Sequence, residues 1–292
     1  MENFSVTMKS FKNNVSNSGF NTLSEGSVQE TMLGTLWARA KFSKLYPEIL
    51  NDKKSSEIIE KINYDFTKVQ EYLGEWRGIG LLVRARNFDD AVLNYIEKFP
   101  KATIVNVGAG LDTTYYRVDN GSIKRYDLDL ADAIEFRRNY LPESTRCVYI
   151  SKSALDYSWF DDVEFSPDKG IFIIAGGFIY YFQESEISAL FDALAKKFPG
   201  GELIFDCISN LAIKVAHRRG KKAGAKTPFW HIGIGDPIKR ISKWSSKLKV
   251  IDWYTMYART KLNPKWAKKT LKMVKMAERF KTAKIVQIKF VN

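Results

Sequence analysis

The chain has 292 residues, of which 45% are hydrophobic and 27% charged, a composition typical of a globular protein with a sizeable core. Its two cysteines argue against a structural zinc site and favour a reducing, cytoplasmic location. Its two histidines are too few for a histidine-based metal centre. The net charge of +13 admits a polyanionic partner, whereas the longest apolar run, about twelve residues in IFIIAGGFIYYF, is too short to span a bilayer. The first residues lack the apolar core of a signal peptide, so we expect none.

The first hundred residues have the pattern of helices. Apolar periodicity predicts helices over 28–45, 55–62 and 86–99. Pro47 follows the first helix and Pro100 the last, and Ser55 or Ser56 is the expected N-cap of the second. We therefore predict a helical N-terminal extension, or cap, over residues 1–100.

From residue 101 onward, strands alternate with helices. Short apolar runs predict five strands, at 102–108, 122–130, 146–151, 170–177 and 201–208, with helices at 131–141 and 185–198. This alternation predicts an α/β fold with an open, mostly parallel sheet, which forms a core domain over residues 101–292. Two further strand-like runs, at 249–257 and 283–291, finish the domain, and we expect the last to be antiparallel at the end of the sheet.

A polar, basic segment, KVAHRRGKKAGAKTP at 214–228, interrupts the core domain. We predict that an insertion over about 211–240 forms a mobile lid, since it follows the fifth strand and contains two glycines suited to hinging. Residues 211–292 as a whole carry 22 Lys and Arg against 3 Asp and Glu. We interpret this excess as a solvated basic face, because the lysines of 263–280 surround a helix with apolar residues at core-like spacing, namely Trp266, Leu271, Val274 and Ala277. Contact with nucleic acid is the alternative.

The stretch TIVNVGAGLD, residues 103–112, joins an apolar strand to a glycine turn. Glycines let the backbone turn tightly and approach a ligand closely, at the strand ends where nucleotide-type cofactors bind. Asp127 and Asp129 follow Gly110 by 17 and 19 residues, about the distance at which an acid binds ribose hydroxyls. Thr113 stands where a dinucleotide fingerprint has its third glycine, which disfavours NAD and favours S-adenosyl-L-methionine, a cofactor without phosphates.

These motifs together resemble the leucine carboxyl methyltransferase family. The similarity starts near residue 30 and runs through LWARAKFSK, RARNFDDAV, VNVGAGLDTTYYRV, YDLDLADAIEFRR, SALDYSW, IAGGFIYYF and FPGGELIFD. The resemblance implies a class I, Rossmann-like methyltransferase fold, with a seven-stranded sheet, helices on both faces and a helical N-terminal extension. Gly176 stands where the phosphatase-directed members carry a glutamate, which favours the tetracenomycin O-methyltransferase-like branch that acts on small molecules.

The resemblance also implies which residues bind the cofactor. It assigns Gly108, Ala109 and Gly110 to the methionine part, Asp129 and the nearby Asp127 to the ribose, Ala154 and Leu155 to the adenine, Arg84 and Arg39 to the carboxylate, and Gly176 to the turn after the fourth strand. A guanidinium suits a carboxylate because it is planar and bidentate.

The sequence defines the acceptor side less closely, and the catalytic residues stay unknown. Tyr180 and Tyr181 follow the fourth strand, where methyl transfer is expected, and they either line the site or are ordinary core aromatics. His217 and His231 are candidate general bases, with surface histidines as the alternative.

Two residues beside the glycine turn have structural interpretations. Asp112 either contacts the cofactor or caps the helix after the turn. Arg117 is expected to pair with Asp112 or Asp129, with contact to the ligand as the alternative.

The sequence thus predicts an S-adenosyl-L-methionine-dependent O-methyltransferase acting on a small molecule, without a metal. A carboxylate acceptor is already ionised at neutral pH and needs no base, whereas a phenol, with a pKa of about 10, benefits from one. The motifs contain no obvious His–Asp pair, which favours the carboxylate. The alternatives are an RNA methyltransferase, disfavoured because AGGFIY lacks the Asn/Asp-Pro-Pro-aromatic turn, and a non-catalytic binding protein, disfavoured by the intact glycine turn.

Overall fold

The computed structural model describes residues 28–222 and 231–292, and a seven-stranded sheet forms its centre. The strands are β1 (Thr103–Val107), β2 (Lys124–Asp129), β3 (Cys147–Ser151), β4 (Ile171–Ala175), β5 (Glu202–Ile208), β6 (Leu248–Thr255) and β7 (Ala283–Phe290). Their order in the sheet is β3-β2-β1-β4-β5-β7-β6. Strands β1 to β5 pair in parallel, and β7 is antiparallel to both of its neighbours. The predicted seven-stranded, mostly parallel α/β sheet is therefore confirmed.

Strands β1 and β4 lie in the middle of the sheet, and all of their residues are buried. Their sequences, TIVNV and IFIIA, are apolar and largely β-branched, as expected of strands covered on both faces. Ile104 and Ile174 pack in the core on one face, whereas Val105 and Ile173 pack in the core on the other. This division follows from the period of two along a strand.

Three N-terminal helices cover one face of the sheet: α1 (Val28–Leu45), α2 (Lys53–Ile59) and α3 (Thr67–Lys98). Leu36, Leu82 and Val92 are fully buried and belong to the same hydrophobic cluster as Ile104 and Ile174 of the strands. The described part of the N-terminal extension thus shares its core with the sheet, and α3 ends just before Pro100. Residues 1–27 of the predicted extension lie outside the described residues.

Two of these helices differ from their predicted bounds. The N-cap of α2 is Asp52 and not Ser55 or Ser56, because its Oδ1 accepts a hydrogen bond of 3.0 Å from the backbone N–H of Ser55. Helix α3 begins at Thr67, well before the predicted start at 86, and is interrupted at Gly74, where φ is 54° and ψ is −167°. The three glycines of LGEWRGIG weaken the local helical pattern, so the apolar periodicity did not define a helix in this part of the helical extension.

The remaining helices connect or follow the strands. They are α4 (Tyr115–Val118), α5 (Ala131–Arg138), α6 (Glu184–Lys197), α7 (Asn210–Lys222), α8 (Pro237–Ile241) and α9 (Lys268–Arg279), with 3₁₀ segments at Tyr157–Asp162 and Ile179–Tyr181. Helix α6 begins with a capping box between Gln183 and Glu186.

One prediction about the C-terminal third needs correction. Strand β7 is antiparallel as predicted, but it lies between β5 and β6, so β6 is the strand at the end of the sheet. The first part of the predicted insertion forms helix α7 (Asn210–Lys222), directly after β5. The rest of the basic segment, residues 223–230, lies outside the described residues.

No helix within residues 28–222 and 231–292 is long and apolar enough to cross a membrane. The same residues contain no group of three His, Cys, Asp or Glu side chains placed to hold a metal ion.

Candidate active site

The candidate site lies at the carboxyl edge of the sheet, where the strand order reverses between β1 and β4. From β1 the chain continues to β2 on one side, and from β4 it continues to β5 on the other. Such a switch point leaves a crevice beyond the strand ends, which is where open α/β sheets bind their ligands. The glycine turn after β1, Asp129 at the end of β2 and the turn after β4 all lie at this edge.

The glycine turn requires both of its glycines. Gly108 and Gly110 have φ values of 69° and 45°, in the left-handed region that L-residues with a side chain disfavour. A Cβ on Gly108 would lie 2.9 Å from Phe178 Cδ2, and a Cβ on Gly110 would lie 2.9 Å from Met32 Cγ. The backbone amides of Gly108 and Ala109 both donate to the carbonyl of Leu128, at 2.9 and 3.1 Å, which ties the turn to β2.

Asp129 lies directly beside this turn. Its Oδ2 accepts a hydrogen bond of 2.7 Å from the Gly110 amide, and its Oδ1 accepts one of 2.8 Å from the Leu130 amide. Burial raises the pKa of this carboxyl above its usual value, although both amide contacts favour the charged form. Asp129 is half-buried, so its carboxylate remains within reach of a ligand at the edge.

Asp127 occupies a different position from Asp129. It is fully buried and forms ion pairs of 2.6 Å with Arg125 Nε and with Arg137 Nη2. Arg137 Nη1 in turn donates to the carbonyls of Gly110 and Asp112, each at 2.9 Å. Asp127 therefore supports the glycine turn through Arg137, whereas Asp129 is the less buried of the two acids.

Arg125 and Arg137 hold Asp127 and the glycine turn in place, and the sequence analysis did not identify them. Arg137 lies on α5 within ADAIEFRR, and Arg125 stands on β2 two residues before Asp127. An arginine two positions from an acid on the same strand shares its face, which is the signal that was available. Asp112 accepts from Arg125 Nη2 at 2.8 Å and from the Thr114 amide at 3.0 Å, so it bonds locally within the turn as well as to the strand.

A second ion-pair cluster joins the N-terminal helices to the same turn. Arg39 of α1 pairs with Asp52 at 3.1 Å and donates through Nη2 to the carbonyl of Leu111 at 2.8 Å. Arg117 pairs with Asp89 through Nε at 2.5 Å and with Asp52 through Nη1 at 2.8 Å. The expected pairing of Arg117 with Asp112 or Asp129 is therefore wrong, because the N-terminal helices supply nearer carboxylates. Arg39 is buried with these partners, so it positions the turn from behind.

Arg84 lies at the opposite side of the crevice, on α3. Its Nη1 is 3.4 Å from Asp206 Oδ2, and the guanidinium lies close above Gly177, where an added Cβ would be 2.8 Å from Nη1. Burial opposes the charged form of Arg84, but attraction to Asp206, Tyr180 and Tyr181 together with the hydrogen bond to Asp206 outweighs it, so the pKa lies above its usual value. The arginine is thus charged and adjoins the turn after β4.

The two adenine candidates follow β3. Ala154 is buried and its carbonyl accepts a hydrogen bond of 3.1 Å from Trp159 Nε1, while Leu155 is half-buried beside it. This packing fixes the loop after β3 next to the end of β2.

Gly176, in the turn after β4, is in close contact with Phe88 of α3. A Cβ there would lie 2.5 Å from Phe88 Cε2, so no side chain fits without moving that ring. The absence of a side chain at Gly176 therefore leaves room for Phe88, a residue that the sequence analysis did not identify as part of the site.

The structure places only some of the candidate acceptor-side residues close to one another. Tyr180 is buried and donates from its hydroxyl to Asp206 Oδ2 at 2.8 Å, and burial together with that carboxylate raises its pKa well above the usual value. Tyr181 is half-exposed. The His231 amide donates to the Tyr180 carbonyl at 3.1 Å and its exposed ring lies 3.4 Å from Gln183 Nε2, whereas His217 lies on α7.

Comparison with known proteins identifies the family. A family model for leucine carboxyl methyltransferase matches residues 32–195. The chain belongs to the leucine carboxyl methyltransferase family. Over 212 residues it is 27% identical to the tetracenomycin polyketide synthesis O-methyltransferase TcmP of Streptomyces glaucescens, an alignment that covers 72% of this chain and 76% of that protein. It is also 26% identical over 212 residues to the S-adenosyl-L-methionine-dependent methyltransferase dpfgK of Gibberella zeae, covering 65% of this chain and 71% of that protein.

Solved structures show the same fold. A DUF574 family protein from Streptomyces avermitilis superposes with a TM-score of 0.56 at 11% identity, covering 88% of this chain and 97% of that chain. A protein from Thermobifida fusca gives a TM-score of 0.55 at 10% identity, covering 87% and 94%. The expected class I methyltransferase fold and the family resemblance are confirmed.

The protein is therefore an S-adenosyl-L-methionine-dependent methyltransferase. The chemistry at this edge of the sheet suits the cofactor, because a glycine turn, the Asp129 carboxylate and the charged Arg84 guanidinium follow or adjoin the ends of β1, β2 and β4. The cofactor supplies a methyl group made electrophilic by a positively charged sulfur.

Proposed function

We propose that this enzyme transfers the methyl group to an oxygen atom of a small molecule. The observation that carries the proposal is the 27% identity, over most of both chains, to an O-methyltransferase whose name places it in polyketide synthesis. The contact between Gly176 and Phe88 supports it, since Phe88 fills the space that the glutamate of phosphatase-directed members would need.

Four groups of residues would hold the cofactor. The turn Gly108 to Gly110 would lie under the methionine part, and Asp129 would accept hydrogen bonds from the ribose hydroxyls. Ala154 and Leu155 would pack against the adenine. Arg84 would bind the carboxylate, with its charge maintained by Asp206.

The protein's contribution to the reaction is to align the acceptor and exclude water. Methyl transfer is an in-line displacement, so correct placement of the acceptor oxygen accounts for much of the rate. The Tyr180 hydroxyl donates to Asp206 and its pKa is raised, so Tyr180 remains protonated and does not act as a base. A carboxylate acceptor needs no base, and for a hydroxyl acceptor His231 is a candidate, because its backbone amide bonds to the Tyr180 carbonyl after β4 and its imidazole is exposed.

A labelling experiment tests this proposal. The purified enzyme is incubated with methyl-labelled cofactor and a metabolite extract, and the labelled products are separated and identified by mass spectrometry. We expect label in small molecules, and much less with Asp129→Ala at a cofactor concentration that does not saturate the variant. Mild alkali distinguishes the acceptors, because methyl esters are hydrolysed and release labelled methanol whereas methyl ethers keep the label.

A parallel arm addresses nucleic acid. Total RNA replaces the metabolite extract at two salt concentrations, because phosphate contacts make RNA binding strongly salt-dependent. Label found in RNA, and in no small molecule, would overturn the proposed substrate class.

A further inference from the structure

Asp206 is a buried carboxylate near the carboxyl end of β5. Its side chain is 4% exposed. Oδ1 accepts a hydrogen bond of 2.6 Å from the Gly177 amide, and Oδ2 accepts from the Tyr180 hydroxyl at 2.8 Å and from Arg84 Nη1 at 3.4 Å. Asp206 therefore links the turn after β4, the 3₁₀ segment that follows it and helix α3.

The contacts of Arg84 leave most of its donors available. A guanidinium carries five N–H groups, and among the described residues its hydrogen bond is the one from Nη1 to Asp206. Gly177, with φ of 68° and no side chain, leaves room for the guanidinium above the backbone. Asp206 thus restrains one end of the guanidinium while other donors remain for a ligand.

The buried charge of Asp206 requires a paired cation, which an apolar residue at this position would not. Burying a charge is costly unless it is paired and hydrogen-bonded, and Arg84 is the cation that pairs with Asp206. The geometry of the pair therefore couples the orientation of Arg84 to the backbone after β4, since one carboxylate binds both.

We propose that Asp206 is a positioning residue for the cofactor site, which holds Arg84 in the orientation that binds the carboxylate of S-adenosyl-L-methionine. The inference rests on the role proposed above for Arg84. Asp206 itself does not contact the cofactor, and its effect is confined to the amino-acid end of the ligand.

Two ligands separate this role from general support of the fold. S-adenosyl-L-homocysteine contains the amino-acid carboxylate, whereas 5′-methylthioadenosine shares the adenosine and the thioether but lacks it. Calorimetry measures both affinities for wild type and Asp206→Asn. We expect Asp206→Asn to bind S-adenosyl-L-homocysteine at least roughly tenfold more weakly, the effect of losing a hydrogen bond to a charged group, and 5′-methylthioadenosine within about twofold of wild type. Equal losses for both ligands would overturn the inference.

Arg84→Ala and the double variant test the route through Arg84. Arg84→Ala should show the same selective loss, and adding Asp206→Asn should weaken binding little further, because both changes disable one interaction. A selective loss in Arg84→Ala with unchanged binding in Asp206→Asn overturns this inference alone. Unchanged binding in Arg84→Ala overturns the assigned role of Arg84 as well.

Two further variants guard against a folding defect. Tyr180→Phe keeps the Asp206 charge but removes the hydroxyl that fixes Oδ2, so we expect a smaller loss with the same selectivity for the carboxylate-bearing ligand. Asp252→Asn is the matched control, because it removes an ion pair of 2.7 Å with Arg259 at the far edge of the sheet. If Asp206→Asn does not fold, an unselective or absent effect in Tyr180→Phe overturns the inference.

Discussion

Gly110 is fixed by its backbone conformation and by the side chain packed against it. Its φ of 45° disfavours any residue with a Cβ, and Met32 of α1 lies where that Cβ would be. The first constraint is local to the turn, whereas the second depends on how the N-terminal helices pack. The two constraints can be tested separately, because the flexible Met32 side chain can move away from an added Cβ whereas the backbone φ of Gly110 is fixed by the turn.

We expect Gly110→Ala to lower the free energy of unfolding by about 1–2 kcal/mol, the cost of the left-handed conformation with a Cβ. Adding Met32→Ala should leave this cost in place, because it relieves only the contact. Chemical denaturation of both variants and of Met32→Ala alone measures the difference. Full recovery of stability in the double variant, relative to Met32→Ala, would show that the contact and not φ matters.

Asp129 is the acid that we propose binds the ribose, and its removal should weaken cofactor binding. We expect Asp129→Ala to bind S-adenosyl-L-methionine and its demethylated product more weakly by about 1.5–3 kcal/mol, the worth of hydrogen bonds to a charged group. Glu135→Ala, an exposed acid on α5, is the control. Calorimetry gives both affinities, and equal binding by the two variants would contradict the assignment.

At the residue scale, the sequence identified the turn and its acids but did not distinguish their roles. Asp127 and Asp129 are two residues apart and share a face of β2, so spacing alone treats them alike. They differ because Arg125 and Arg137 reach Asp127 from β2 and α5. Arg125 has a local signal in its position two residues before Asp127, whereas Arg137 comes from another element and has none. The same lack of a local signal explains the wrong pairing expected for Arg117.

At the scale of elements, the predicted strands agree with the structure to within one or two residues at most ends. Their apolar runs are short and bounded by Gly, Pro or Asp, which the local chain encodes well. The first half of helix α3 was not predicted, because its three glycines weaken the helical pattern. Packing compensates for them, and at Gly78 an added Cβ would overlap the Phe42 ring of α1.

Gly34 and Gly74 provide a matched pair of glycines within helices. Gly34 has an ordinary helical backbone, and a Cβ there would meet Leu73 Cδ1 at 4.0 Å, a normal contact. Gly74 has φ of 54° at the interruption of α3, with open space around it. We expect Gly34→Ala to stabilise the fold by about 0.5–1 kcal/mol and Gly74→Ala to destabilise it by about 1 kcal/mol. Denaturant unfolding checks both signs, and stabilisation by Gly74→Ala would mean that α3 is continuous in solution.

At the scale of the whole molecule, charge is distributed unevenly. The apolar side of the α9 region is buried at Trp266, Val274 and Ala277, as the spacing predicted. Its cations are exposed, and Glu278 points inward to Thr255 and the Tyr257 amide. The sequence reveals such a face because amphipathic helices encode it locally, whereas the position of β7 inside the sheet depends on long-range pairing with β5.

Buried thiols and phenols give the whole molecule a characteristic response to alkali. Burial raises the pKa of Cys147 and of Cys207 from 9.0 to about 12, and that of Tyr149 from 10.0 to about 12. The unfolded chain loses these protons before the folded chain does, from about pH 9 for the two thiols and from about pH 10 for Tyr149. A raised pKa in the folded state therefore contributes stability that is present below pH 9 and is lost as the pH rises towards 12.

We expect the free energy of unfolding to fall above pH 9, by up to about 1.4 kcal/mol per pH unit for each such group. Cys147→Ala should reduce the slope of the free energy of unfolding against pH by about the contribution of one thiol. This change of slope is separate from any stability lost through the cavity that the substitution leaves. Lys284, whose pKa burial lowers, titrates with the opposite sign, but the substitution leaves it in place, so the difference between the two slopes isolates Cys147. Guanidinium unfolding at intervals from pH 8 to 10.5 measures both slopes. Identical slopes for the two proteins would show that the Cys147 thiol ionises as readily in the folded protein as in the unfolded chain.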